Sequence, residues 1–246
     1  MNSSALTALL LFTASGLAAQ PSCRTSIGIP CYTIRATHTQ WQALAQDPLK
    51  ISKVTETNVR AVRRDGSFVA FGEMKEELLF GGLLGAKQGA QLYLAPENAI
   101  VKVNRTEHTI SRREPLIWHD LPYRRSADGD STCQTGIRHF GSDFQLNGNS
   151  TVAGVPVVKW SRADGSEDHY LAPSLDCIEL KREKIKRNRL WIPIFTSRWE
   201  ATSVELGEPK PELFVLPTDY KQVEDPERAR LLQFLRATGG PRLPAR

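Results

Sequence analysis

The chain has 246 residues, 40% hydrophobic and 24% charged, with a formal net charge of +5 and four cysteines. That length supports one domain with a real core. The charge is local: Lys181, Arg182, Lys184, Lys186, Arg187 and Arg189 against Glu183 account for all of it, so the chain lacks the wide basic surface of a nucleic-acid binder.

Residues 1–19 carry no charge and contain an apolar run over 5–12 followed by small residues. The run is too short to span a bilayer. It has the shape of a secretory signal peptide cleaved near Ala18 or Ala19, although no Lys or Arg precedes it. No later stretch approaches the ~20 apolar residues of a membrane helix. We therefore expect one exported domain over residues 20–246, periplasmic or extracellular, in a setting where disulfides persist. Four cysteines allow three connectivities. We favour Cys23 with Cys31, which bracket a Gly-Ile-Pro turn, and Cys133 with Cys177, which bracket a run of strands.

In chain order, residues 39–46 (TQWQALAQ) read as a short helix of good formers stopped by Asp47-Pro48. The Val- and Thr-rich segment 51–64, the Asp65-Gly66 turn and the apolar run 68–71 then predict a β-hairpin. Further strands are predicted over 91–94, 99–103, 116–119, 152–160, 168–171, 177–186, 189–195, 198–206 and 212–216. Residues 155–160 and 168–171 flank an Asp164-Gly165 turn and should pair antiparallel. Alternation then puts His169 and Leu171 on one face, Asp168 and Tyr170 on the other. Near the end, Asp225-Pro226 begins a short C-terminal helix closed by Gly239-Gly240, with a loose tail beyond it. The fold class is mainly β (α+β): a curved antiparallel sheet or half-barrel with a few helices.

Chemical motifs are sparse. The segment DHYLAPSLDC, residues 168–177, groups Asp168, His169, Asp176 and Cys177, yet it reads as a strand, a turn and a disulfide cysteine. A nucleophile elbow is absent, and Ser131 in Gly-Asp-Ser is the nearest imitation. A thiolate pairing of Cys133 or Cys177 with His139 or His169 is set against oxidation, which export favours. His38, His108, His119, His139 and His169 are scattered without metal-ligand spacing, so no catalytic residue, metal or cofactor is assigned. The Gly-rich piece holding Leu78, Leu79, Phe80, Leu83 and Leu84 lacks a phosphate-binding pattern. It is a candidate apolar loop for ligand or membrane contact, against the simpler reading of a buried hairpin crossing. The basic run from Lys181 to Arg189 leads into Trp191 and Phe195, which suits an anionic membrane surface or another polyanion; a lysine-protected strand edge explains it more cheaply. Asn104 and Asn149 fit the glycosylation pattern.

Two segments carry a resemblance: residues 152–160 with 170–177, and the stretch LGEPKPELFVLPTDY, residues 206–220. They resemble exported bacterial proteins of unknown function related to the LolA/LolB lipoprotein-carrier superfamily. That resemblance implies a curved antiparallel sheet wrapped partly around helices, an apolar cavity, and a lipid or lipoprotein partner. Its motifs mark strands and turns, so it transfers no site residue. The expected function is non-enzymatic binding or carrying of a lipid, lipid-modified protein or other apolar ligand in the concavity. The alternatives are an envelope interaction module acting through residues 181–189, and a hydrolase using Ser131.

Overall fold

The computed structural model describes residues 23–26, 28–44, 47–78, 83–115, 131–137 and 141–225, with Arg230 and Gln233. The signal-peptide segment, the strand predicted at 116–119, His119 and His139 lie outside the described residues. So does most of the C-terminal helix, of which Arg230 and Gln233 are helical.

Twelve strands form one open sheet. They are β1 (Tyr32–Leu44), β2 (Asp47–Val62), β3 (Phe68–Leu78), β4 (Leu83–Leu94), β5 (Ala99–Asn104) and β6 (Thr109–Arg113). After these come β7 (Phe144–Val152), β8 (Val155–Arg162), β9 (Glu167–Ala172), β10 (Ile178–Arg187), β11 (Pro193–Leu206) and β12 (Lys221–Gln222). Their spatial order is β12-β6-β5-β4-β3-β2-β1-β11-β10-β9-β8-β7. Two meanders, β1 to β6 and β7 to β11, therefore meet where β11 docks on β1. Pairing is antiparallel except for the short parallel contact of β12 with β6. The expected open half-barrel describes this sheet, with helical structure reduced to single turns among the described residues.

Several sequence expectations give way to tertiary pairing. Of the helix predicted at 39–46, residues 39–44 are the second half of β1 and residues 45–46 lie outside the described residues. The intrinsic helix propensity of the segment yields to ladders on both sides, because His38 faces Glu56 on β2 and Trp199 on β11. The strand predicted at 152–160 is a hairpin, since Ala153 and Gly154 take φ of 49° and 79° and make the tight turn between β7 and β8. Of the strand predicted at 189–195, residues 189–192 belong to a turn over 188–192 and residues 193–195 open β11, which runs unbroken through the separately predicted 198–206. Residues Pro211–Phe214 form a 3-10 turn rather than the strand expected at 212–216, as Pro209 and Pro211 remove ladder donors. Strands β3 and β4 extend well beyond the predicted 68–71 and 91–94.

The core gathers where the meanders meet: Tyr32, Ile34, Val62, Phe68, Trp199 and Ala201 cluster with Val157, Tyr170, Leu175 and Leu180. A second cluster lies over β2 to β6, where Val69, Leu92, Val101, Val103 and Ile110 bury against Phe214. This explains the LGEPKPELF stretch in structural terms. Glu208 accepts hydrogen bonds from the Arg64 backbone N–H at 3.1 Å and Arg63 Nε at 3.3 Å, clamping the β2–β3 turn. Gly207 takes φ of 122°, which a side chain would oppose, and Phe214 then lies under Arg63 at 5.2 Å.

The disulfides join Cys23 to Cys31 and Cys133 to Cys177, leaving no free thiol. These are the pairs favoured above. They are compatible with an exported protein and remove the thiolate needed for cysteine catalysis.

Candidate functional site

Antiparallel register aligns residues from distant parts of the sequence into one row across the sheet. Glu56 pairs with His38, His38 with Trp199, Trp199 with Arg182, Arg182 with His169, and His169 with Trp160. Directly paired residues project from the same face. The row therefore places two histidines, a glutamate, an arginine and two tryptophans side by side from β2 to β8.

At the β1 end, the His38 ring joins two neighbours. Its Nδ1 lies 3.3 Å from Glu56 Oε2 and its Nε2 lies 2.9 Å from Ser197 Oγ. A carboxylate only accepts, so Nδ1 donates to it, and Nε2 of the neutral ring accepts from the serine hydroxyl. The His38 hydrogen bond holds the Glu56 carboxyl below its usual range, against burial, which pushes it up. Both side chains remain partly open to solvent.

At the β9 end, His169 is fully buried. Its Nδ1 is 2.5 Å from Glu179 Oε1, and its Nε2 lies 3.4 Å from Glu167 Oε1. The Phe144 ring meets it edge-on at 5.0 Å, and Val158, Trp160 and Leu171 pack around it beside the Cys133–Cys177 disulfide. Trp160 Nε1 donates to the Thr132 carbonyl at 2.8 Å, tying the disulfide loop to β8. His169 and Leu171 thus share a face, as alternation predicted, and the residues grouped in 168–177 divide between the two faces and a turn. Asp168 pairs with Lys159 at 3.0 Å on the other face, while Asp176 and Cys177 form the left-handed turn before β10, with φ of 59° and 60°.

Between these ends stands an arginine-rich centre. The Arg60 guanidinium lies 4.5 Å over the Trp199 ring. Burial lowers its pKa; nearby Glu179 opposes that shift and Arg182 adds to it. Arg182, cross-strand from Trp199, has no ion-pair partner among the described residues. Two guanidinium groups therefore stand by one indole, and the carboxylates near Arg60, Glu179 and Glu56, are already bonded to His169 and His38.

The rest of the basic run divides between the two faces. Lys181 is taken up by Glu183 and Glu200 at 3.3 and 3.9 Å, and Lys184 by Glu167 at 3.3 Å. Lys186, Arg187 and Arg189 are exposed at the far end of the hairpin. The predicted basic strand is consequently no continuous patch. On the face opposite the row, Thr39, Trp41, Ile185, Thr196 and Arg198 line an open depression of about 490 Å³. For the apolar-loop candidates, Leu78 ends β3 while Leu83 and Leu84 begin β4, as a hairpin crossing requires. Leu79 and Phe80 lie outside the described residues, and none of the five side chains is described. Ser131 is exposed before Cys133, and no histidine among the described residues hydrogen-bonds to it. One grouping of Cys23, Cys31 and Glu208 has metal-like spacing, but the disulfide joins its two sulfurs to each other.

Sequence reasoning missed this row because no local motif carries it. Residues 38, 56, 169, 182 and 199 become neighbours only through the register of five strands.

No family model matches the chain, and no curated protein matches it. Among solved structures, it is similar to MucB in complex with MucA(peri), at 14% identity and a TM-score of 0.37, covering 79% of this chain and 57% of that one. The MucA/MucB complex of Pseudomonas aeruginosa gives 15% identity and a TM-score of 0.37, covering 78% and 58%. A beta-barrel-like protein of a domain of unknown function from Brucella abortus gives 9% identity and a TM-score of 0.18, covering 72% and 98%. The chain spans less than two thirds of the MucB chains. At these scores the likenesses carry no inference about what it binds, and they do not assign it to the lipoprotein-carrier superfamily.

Proposed function

We propose that the chain is an exported, non-enzymatic binding module that takes an acidic amphiphile, a lipid or lipid-modified protein, against the face bearing the cross-strand row. The supporting observation is the centre of that row. Arg60 and Arg182 stand by Trp199, and the two carboxylates near Arg60, Glu179 and Glu56, are each engaged by a histidine. An acidic headgroup would relieve their repulsion through charge-assisted hydrogen bonds. The proposal departs from the sequence expectation in one respect: the recognising chemistry is cationic and aromatic rather than purely apolar.

The test is an intact mass of the mature protein from its native envelope, recorded under native and then denaturing conditions. The expected result is a non-covalent adduct that denaturation removes and that Arg182→Glu protein lacks. A bare wild-type mass, or an adduct indifferent to that substitution, would refute the proposal.

A second reading has one specific observation. Ser197, His38 and Glu56 stand in the order of a nucleophile, its base and an orienting carboxylate, at 2.9 and 3.3 Å. Ser197, however, lies inside β11, paired on both sides with β1 and β10, where backbone amides serve ladders rather than an oxyanion. Ester turnover by wild-type protein that Ser197→Ala abolishes would favour a hydrolase. Turnover shared equally by the variant, or none, would dismiss it.

A further inference from the structure

The β10–β11 hairpin ends in an unusual surface. Leu190, Trp191, Ile192 and Ile194 are 77%, 75%, 54% and 42% exposed, an apolar cluster at a turn that ordinarily carries polar residues. The tip lies beyond both flanking ladders: the β10 ladder with β9 ends at Lys184 with Glu167, and the β11 ladder with β1 ends at Phe195 with Gln42.

The turn is rigid despite this exposure. The Asn188 side chain accepts from the backbone N–H groups of Leu190 at 2.9 Å and Ile192 at 3.0 Å. The Asn188 carbonyl accepts from Trp191 N–H at 3.0 Å, and the Asn188 N–H donates to the Ile192 carbonyl at 2.9 Å. These four bonds hold Trp191 at φ of 62°, a left-handed conformation that a bulky residue rarely adopts. An outward-facing indole kept in a costly backbone state is already ordered for contact, so docking spends little conformational entropy.

Charge identifies the surface it meets. Lys186, Arg187 and Arg189 ring the tip, with Arg187 Cζ 6.0 Å from the Trp191 ring and Lys186 Nζ 5.7 Å from the Phe195 ring. The sequence contains no Asp or Glu between Glu183 and Glu200. A neutral apolar groove on a protein gives no reason for that collar. Anionic headgroups above an acyl layer do, because aromatic side chains favour the interface and cations the phosphate level. We infer that the β10–β11 hairpin tip docks on an anionic lipid bilayer, with Leu190, Trp191 and Ile192 entering the boundary between headgroups and acyl chains. This inference is independent of the ligand proposal, since Leu190, Trp191 and Ile192 lie in the turn beyond the β10–β11 ladder and take no part in the row.

The test uses the mature chain with both disulfides formed, mixed with phosphatidylcholine vesicles holding about 30% phosphatidylglycerol or none. Wild-type protein should float with the anionic vesicles and show a blue-shifted tryptophan emission, both weakened when salt rises from about 0.05 to 0.5 M. Leu190→Ser/Trp191→Asn/Ile192→Ser protein should bind at least about tenfold more weakly, with an unchanged melting temperature. Asn at 191 tolerates the left-handed backbone. Arg187→Gln/Arg189→Gln provides a second variant that leaves the turn intact and should weaken binding in the same direction. Absence of wild-type binding, equal binding to neutral vesicles, or unchanged binding by both variants would overturn the inference. So would self-association through the tip without vesicle binding, seen as a concentration-dependent sedimentation shift that the triple variant loses.

Discussion

The two ends of the cross-strand row are made from the same residue types and do different work. At the β9 end, His169 is sealed between Glu167 and Glu179 under Phe144 and Trp160, so its polar contacts hold scaffold together. At the β1 end, His38 meets Glu56 and Ser197 in a partly open setting, and its contacts can be exchanged for solvent or ligand. A histidine–glutamate pair is therefore no functional signal in itself. Burial decides what it does, and on this face the change from sealed to open falls at Trp199 and Arg182.

That difference predicts a graded set of losses. The largest follows from the Cys133–Cys177 bridge, which closes a separation of 44 residues beside the sealed end. Loop-closure entropy puts its removal at about 4 kcal/mol, against about 2.5 kcal/mol for the Cys23–Cys31 bridge, whose separation is 8. Denaturant unfolding of the two double-alanine variants reads both values, and a reversed order would contradict the placing of the sealed end. Next comes His169→Leu, which takes the bonded imidazole from Glu179, while Glu167 keeps Lys184 and Arg162, and should cost about 3 kcal/mol. His38→Leu at the open end should cost under about 1 kcal/mol, as water can solvate Glu56 in its place. Equal costs for the two histidines would break the comparison outright.

The smallest effect concerns pH. The fold lowers the Glu56 pKa, so the stability it contributes is present above the ordinary carboxylate value of 4.5 and is lost as pH falls through the lower folded value. Glu56→Gln should flatten only that acid limb of a melting-temperature profile, by an amount worth a few tenths of a kcal/mol. An unchanged acid limb would show that the His38 contact does not act on Glu56 as described.

Much of the sheet was legible where turn chemistry is local. Asp164-Gly165 announces the β8–β9 hairpin, with Gly165 at φ of 66°, and Asp65-Gly66 announces β2–β3. Legibility failed where local preference opposed long-range pairing. Residues 39–46 favour helix in isolation, but ladders to β2 and β11 outweigh that preference. It failed again at 188–192, where the turn depends on the Asn188 side chain instead of a glycine, and Trp191 looked like a strand residue. The row itself had no local trace, since Arg60 and Arg182 converge on Trp199 only after β1 joins the two meanders.

Titration of delipidated protein with a fluorescent fatty acid tests the central claim most directly, using wild type, Arg182→Glu and the hairpin-tip variant side by side. Saturable binding that Arg182→Glu weakens about tenfold or more, and that the tip variant leaves unchanged, is the predicted result. No uptake by wild-type protein, or equal uptake by Arg182→Glu, would contradict ligand recognition at the centre of the row.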